Sequence, residues 1–253
     1  MNLLLIDTCG ATGSLALADS ARPLAAATLP GRSAAERLVP AIHSLVAGLG
    51  LSLGQLDAVA VVHGPGSFTG VRVGLSAAKG LCHALNLPLV AISRLAVLAS
   101  LAEPPARVPH SSQRVPHPSR SYRDGWENRI RSLLDAGRGE FYSGLYAGGL
   151  CLRESLLTRD QLLAAHSGET AQLVVCEPAV AQSIAELAPQ LVAEPTAASA
   201  LPLALARVLQ RAFDDPATID ANYLRRTDAE IFAKSIAAAV PPLSATRPAT
   251  PDR

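Results

Sequence analysis

Leu3 to Ile6 form an apolar run that stops at Asp7, turn residues follow from Gly10 to Gly13, and Ser14 to Ala18 are again largely apolar up to Asp19. Two short apolar runs around a glycine-bearing turn predict a β-hairpin. A third run, Leu24 to Leu29, closed by Pro30-Gly31, extends it into consecutive antiparallel strands. The period then changes. Leu38, Ile42, Leu45, Val46 and Leu49 recur at helical spacing, and Ser33-Ala-Ala-Glu36 has the form of a capping box that would start a helix. Pro40 lies past the first turn of that helix and is expected to kink it or shift its start. Leu56 to Val62 predicts a strand, Val71 to Leu85 a second helix and Leu89 to Ile92 another strand, so this part of the chain reads as α/β.

Residues 103–131 break the pattern with Pro104, Pro105, Pro109, Pro116 and Pro118, serines and arginines, which predicts an exposed, mostly disordered insertion. Beyond it, Ser132 to Ala136 and Glu140 to Tyr146 read as strands around a glycine turn, like the opening hairpin. Leu162 to Ala165 predicts a short helix, Leu173 to Cys176 a strand, Ala179 to Leu187 a helix and Ala198 to Phe213 a long Ala/Leu helix. The second half loosely echoes the first. The expected organisation is an N-terminal lobe over 1–102, the insertion over 103–131, a C-terminal lobe over 132–235 and a frayed tail over 236–253.

Composition narrows the function class. Apolar residues make up 49% of the 253 positions and charged residues 17%, a globular balance that argues against wholesale disorder. Basic and acidic residues number 22 and 21, and a net charge of +1 supplies no global field for a polyanion, which argues against a stand-alone nucleic-acid binder. The start of the chain lacks a basic region and a long apolar stretch, and no apolar run is long enough for a membrane span, so a cytoplasmic protein is expected. Cys9, Cys82, Cys151 and Cys176 form no C-x-x-C pair, and the histidines form no H-x-x-x-H pair, so free thiols and no metal site are expected.

The densest chemistry is in Gly64-Pro65-Gly66-Ser67-Phe68-Thr69-Gly70, followed by Arg72, where a strand should pass through a loop into a helix. Such a loop can present backbone N–H groups to an anion. Its spacing fits neither G-x-x-x-x-G-K-[ST] nor G-x-G-x-x-G, so a structural turn and an anion site both remain open. Ser67 lacks the flanking glycines of a nucleophile elbow. Gly70, Gly74 and Ala78 leave a shallow stripe that another helix could approach closely. Asp7 and Thr8 are either turn residues or a carboxylate and hydroxyl for a phosphate or a metal-bound water. By spacing alone Asp135 to Tyr142 is a hairpin turn, and Asn222 to Arg226 a polar loop.

Taken together, the strand-end Asp7-Thr8, the Gly64 to Gly74 string, the Asp135 to Tyr142 turn and Tyr223-Leu-Arg225 resemble the TsaB (YeaZ) family, relatives of the Gcp/TsaD glycoproteases, over about 1–102 and 132–235. The resemblance implies a two-lobe actin-like, Hsp70-like ATPase (ASKHA) fold and a part in making threonylcarbamoyladenosine beside the anticodon of tRNA. It implies a non-catalytic subunit beside a TsaD-like catalytic subunit and a TsaE-like ATPase, with ATP used by the complex and tRNA met through it. No catalytic residue and no cofactor are then expected on this chain, and Asp7 and Thr8 become remnants of a nucleotide site. Catalytic relatives carry an H-x-x-x-H pair where this chain reads Ser93 to Val97, and Glu177-Pro178 stands where active members of the fold have phosphate-admitting glycines. Gly137 replaces a basic residue, and Ala221 replaces the proline that commonly precedes Tyr-Leu-Arg. The implied partner contact uses the first two long helices through Leu38, Ile42, Leu45, Gly70, Gly74 and Ala78. Gly74→Leu should then leave the monomer folded and impair pairing, with TsaD-like protein or a second copy of the chain. The insertion arginines, Arg107, Arg114, Arg120, Arg123, Arg129 and Arg131, either touch tRNA phosphates or belong to an inert loop. Rival readings are a metallopeptidase, a small-molecule kinase of the same fold and an independent homodimer.

Overall fold

The computed structural model describes residues 1–30, 34–103 and 129–225. Ser33 as a helix cap, nearly all of the insertion and the whole 236–253 tail lie outside the described residues. The first lobe opens with β1 (Leu3–Asp7), β2 (Gly13–Ala18) and β3 (Pro23–Leu29), an antiparallel meander with Leu3 opposite Ala18 and Asp7 opposite Ser14. It continues through α1 (Ala34–Gly48), β4 (Ala58–Val62), α2 (Phe68–Leu85), β5 (Leu89–Ile92) and α3 (Arg94–Ser100). The second lobe has β6 (Arg129–Gly137), β7 (Glu140–Ala147), β8 (Leu150–Thr158), α4 (Arg159–Gly168), β9 (Gln172–Val175), α5 (Pro178–Ser183) and β10 (Gln190–Leu191), and α6 (Leu201–Leu209) returns to the first.

The sheet orders are β3-β2-β1-β4-β5 and β8-β7-β6-β9-β10. Each lobe thus lays an antiparallel meander beside two parallel strands, with β4 parallel to β1 and β9 parallel to β6. This repeated topology is the two-lobe α/β architecture of the actin-like fold. The unbroken apolar runs follow from burial of the first sheet on both faces. Leu4, Ile6, Leu15 and Leu17 pack with Leu38, Ile42 and Val46 of α1 and Leu75 of α2, while Leu3, Leu5 and Val90 face Ala200, Leu201 and Ala204. The lobes join through α3, whose Leu95 and Leu98 pack with Leu134, Tyr146 and Val174 of the second sheet. The buried Ser132 hydroxyl also donates to the Leu95 carbonyl at 2.8 Å.

Several expectations need correction. α1 runs through Pro40, which is exposed and costs about 3 kcal/mol in a helix interior; the buried Leu38, Ile42 and Val46 of the same helix offset that cost. α2 begins at Phe68, because the Ser67 hydroxyl caps it by accepting from the Gly70 N–H at 3.3 Å. β6 takes 129–131 out of the insertion. Arg131 is 2% exposed and is held by the Ser143 hydroxyl and the Glu169 carboxylate, so it cannot reach tRNA. β8 and α3 were not read as elements: β8 is an edge strand with little apolar alternation, and α3 is only two turns long. The long C-terminal helix is instead a 3-10 turn, Ala197–Ala200, followed by α6, which ends before Arg211 at a positive φ.

The small-residue stripe also faces inward. A Cβ on Gly70 would overlap the Thr8 carbonyl, a Cβ on Gly74 would overlap the Thr8 hydroxyl, and Ala78 is fully buried. Leu38 and Ile42 are each 1% exposed and Leu45 9%, so with Gly74 and Ala78 they pack inside their own lobe, while Gly70 is half-buried and lines the cleft. Gly74→Leu is therefore expected to destabilise the monomer itself, by about 1–3 kcal/mol or more from overpacking. Urea denaturation of the isolated chain checks this; an unchanged midpoint would mean that the helix can move off β1 without penalty.

Candidate functional site: an acidic cleft between the lobes

A cleft of about 850 Å³ opens where the carboxyl ends of β1, β4, β5, β9 and β10 converge, the usual place for ligands in open α/β sheets. The β1–β2 turn forms its floor. Asp7 is buried, and one carboxylate oxygen accepts the Cys9 N–H at 2.8 Å. The Thr8 hydroxyl donates to the Gly70 carbonyl at 2.6 Å, and the Cys9 thiol to the Val62 carbonyl at 3.1 Å.

The glycine loop closes directly onto this turn. Ser67 N–H donates to the Cys9 carbonyl at 2.8 Å, and a Cβ on Gly66 would overlap that same oxygen. Gly64, at φ +110°, precedes a cis bond to Pro65 and accepts the Arg94 N–H at 2.7 Å. The amides of Ser67 and Gly70 are thus engaged within the loop and turn, which favours the structural reading of the glycines over an anion cradle. Phe68 and Arg72 lie outside the cleft. The Arg72 guanidinium stacks 3.7 Å from the Phe68 ring centroid and donates to the Tyr223 hydroxyl at 2.7 Å.

Arg94, which sequence spacing did not single out as a site residue, decides the electrostatics. It is 5% exposed; its Nε lies 3.9 Å from Asp7 and its Nη2 2.8 Å from Glu194. A fixed guanidinium therefore serves Asp7 as counter-ion. Burial still outweighs Arg94 and holds the Asp7 carboxyl above its ordinary range. Across the cleft the Glu177 carboxylate accepts the Asp135 N–H at 2.9 Å, and burial pushes the Glu177 carboxyl up as well. Pro178 opens α5 without an N–H to offer. With Asp135, Glu177 and Glu194 around one arginine, the cleft lining opposes a polyphosphate. Among the described residues no group of three His, Cys, Asp or Glu side chains could hold a metal ion, and no helix is long and apolar enough to cross a membrane.

A family model described as TsaD, tRNA N6-adenosine threonylcarbamoyltransferase, matches residues 28–112. The chain is 40% identical to the tRNA threonylcarbamoyladenosine biosynthesis protein TsaB of Haemophilus influenzae over 102 residues, 40% of this chain and 43% of that protein. It is 33% identical to the Bacillus subtilis protein of the same name over 147 residues, 58% of this chain and 55% of that one. Its fold matches the solved structure of YeaZ from Pseudomonas aeruginosa with a TM-score of 0.66 at 28% identity, covering 88% of this chain and 99% of that one. In sequence and in fold the chain is similar to the TsaB (YeaZ) proteins. The sequence matches span about half the length of the curated relatives.

The Asp7–Arg94 pair has a measurable signature. Because the Asp7 carboxyl is raised, the folded chain binds that proton more tightly than the unfolded chain. The stability so contributed is complete below the unfolded pKa and is lost as pH rises through the folded one. Arg94→Leu strands the buried carboxylate, so it should cost about 3–5 kcal/mol near neutral pH, and the deficit should shrink as acid protonates Asp7. Urea titrations at about pH 5 and about pH 7, with Asp7→Asn/Arg94→Leu as the compensated variant, check this; a pH-independent deficit would show that Arg94 does not neutralise Asp7.

Proposed function

We propose that the chain is a non-catalytic partner subunit of the machinery that makes threonylcarbamoyladenosine in tRNA, acting beside a TsaD-like catalytic subunit and a TsaE-like ATPase. The observation that carries this reading is the cleft's charge arrangement: Arg94 stands 3.9 Å from Asp7, while Glu177-Pro178 stands at the second phosphate position. An ASKHA-fold kinase needs both ends of that cleft for phosphates, so the same observation weighs against the kinase reading. The relatives' names supply the pathway. ATP use and tRNA contact belong, in this reading, to the assembled complex.

Since five of the six expected contact residues are buried and Gly70 faces the cleft, the partner face in this reading is the outer side of the α1–α2 pair. Val39 is 51% exposed and Phe68 47%, and α2 carries Arg72 and Lys79 without a carboxylate. Such a face suits a partner surface with apolar and acidic groups. The same face would serve self-association.

Threonylcarbamoyl transfer to unmodified tRNA by TsaD-like and TsaE-like proteins, supplied with threonylcarbamoyl adenylate, should depend on addition of this chain. Equal product without it would sink the proposal, as would multiple-turnover ATP hydrolysis by the chain alone. Val39→Arg, at an exposed position, should keep the wild-type melting behaviour yet weaken capture of the TsaD-like subunit about tenfold or more. Unaltered capture would move the interface elsewhere.

A further inference from the structure

One short segment, residues 220–225, ties the neighbourhood of the glycine loop to the Asp135–Tyr142 turn. The Asp220 carbonyl lies 3.1 Å from His63 Nδ1, and the Asn222 N–H donates to the His63 carbonyl at 2.8 Å. The Asn222 side-chain amide donates to Glu154 Oε2 at 2.6 Å. The Tyr223 hydroxyl accepts from Arg72 at 2.7 Å. Arg225 donates to the Ala136 and Gly137 carbonyls at 2.9 and 3.2 Å and pairs with Glu140. His63 and Arg72 belong to the first lobe, whereas Ala136, Glu140 and Glu154 belong to the second.

Glu154 carries the connection inward. Its other oxygen accepts the Ser93 hydroxyl at 2.5 Å, at the N-cap of α3, and also the hydroxyl of Tyr146, which is buried. One carboxylate therefore joins the first lobe through Ser93, the second sheet through Tyr146 and the 222–225 segment through Asn222. An ionised carboxylate offers about four acceptor sites and no donor, which suits three converging donors. A neutral amide would turn N–H groups toward one of them.

We propose that Asn222–Arg225 and Glu154 form an interlobe latch that holds the cleft at one opening. In this fold the two lobes are joined mainly through α3 and the segments that follow it, so a set of bonds from one segment to both lobes restrains the hinge between them. The latch is a property of the isolated chain and stands independently of the partner reading. It makes the molecule a rigid body, with the α1–α2 pair at a constant angle to the second sheet.

Cys176 reports on the opening, because it is half-buried in the cleft and burial pushes its thiol up to about 12. In a Cys151→Ser background, which removes the exposed thiol, the modification rate of Cys176 by a small disulfide reagent should rise about tenfold in Glu154→Ala. The same rise is expected in Asn222→Ala/Arg225→Ala, with circular dichroism unchanged in both. Should Glu154→Ala fail to fold, the pair Asn222→Ala/Arg225→Ala, at part-exposed positions, carries the test. A folded double variant with faster amide exchange at Asn222 but an unchanged Cys176 rate would overturn the proposal, since the segment would then anchor only itself.

Discussion

The backbone of α2 rests directly on the backbone of the β1–β2 turn, and much of the molecule follows from that contact. Thr8 offers its carbonyl where a Cβ on Gly70 would stand and its hydroxyl where a Cβ on Gly74 would stand, while the Cys9 carbonyl does the same at Gly66. Only glycine permits approach at this distance. The helix is thereby drawn onto the sheet, Leu75 and Ala78 reach Ile6 and Leu4, and α1 packs over them with Leu38 and Ile42. The turn that results is rigid because its hydroxyl, its thiol and one backbone carbonyl are each engaged within the lobe.

That rigidity gives the cleft its character. The site has the position of a nucleotide cleft, at the carboxyl ends of parallel strands, but its polar groups face one another. Asp7 meets Arg94, Arg94 meets Glu194, and Glu177 meets the Asp135 amide. The Arg94 Nε makes no hydrogen bond of its own, and the residual charge around the lining is negative. Glu154 and the 222–225 segment, outside the cleft lining, bond to residues of both lobes.

The regular parts of this arrangement were legible. Apolar runs marked β1, β2, β4 and β5 because both faces of their sheet are covered, and the stripe of Leu38, Ile42, Leu45 and Val46 marked α1. β8 was not legible, since an edge strand exposing Leu150 and Leu152 shows neither a continuous run nor a clean alternation. α3 was hidden for a different reason. A two-turn helix cannot display a period, and it is fixed by its burial between the lobes. Arg94 was missed because a single arginine after a strand has no pattern; its meaning comes from Asp7, 87 positions earlier in the chain.

Sequence alone determined the class of fold, the repeat of a hairpin followed by strand and helix, and the resemblance to TsaB (YeaZ) proteins carried by the strings at Asp7, Gly64 to Gly74, Asp135 to Tyr142 and Tyr223 to Arg225. These depend on local periodicity and on residue order, both of which are written along the chain. Tertiary structure decided which way each residue faces. The stripe at Gly70, Gly74 and Ala78 looks from spacing like a surface for another helix, yet the strand beneath it claims that face. Asp7 reads either as a turn residue or as a carboxylate for a phosphate or metal-bound water, and the packed chain sets it 3.9 Å from a buried arginine. A helix face or a carboxylate has the same sequence whether its neighbour is solvent, a partner or its own core, and only the packed chain shows which neighbour it has.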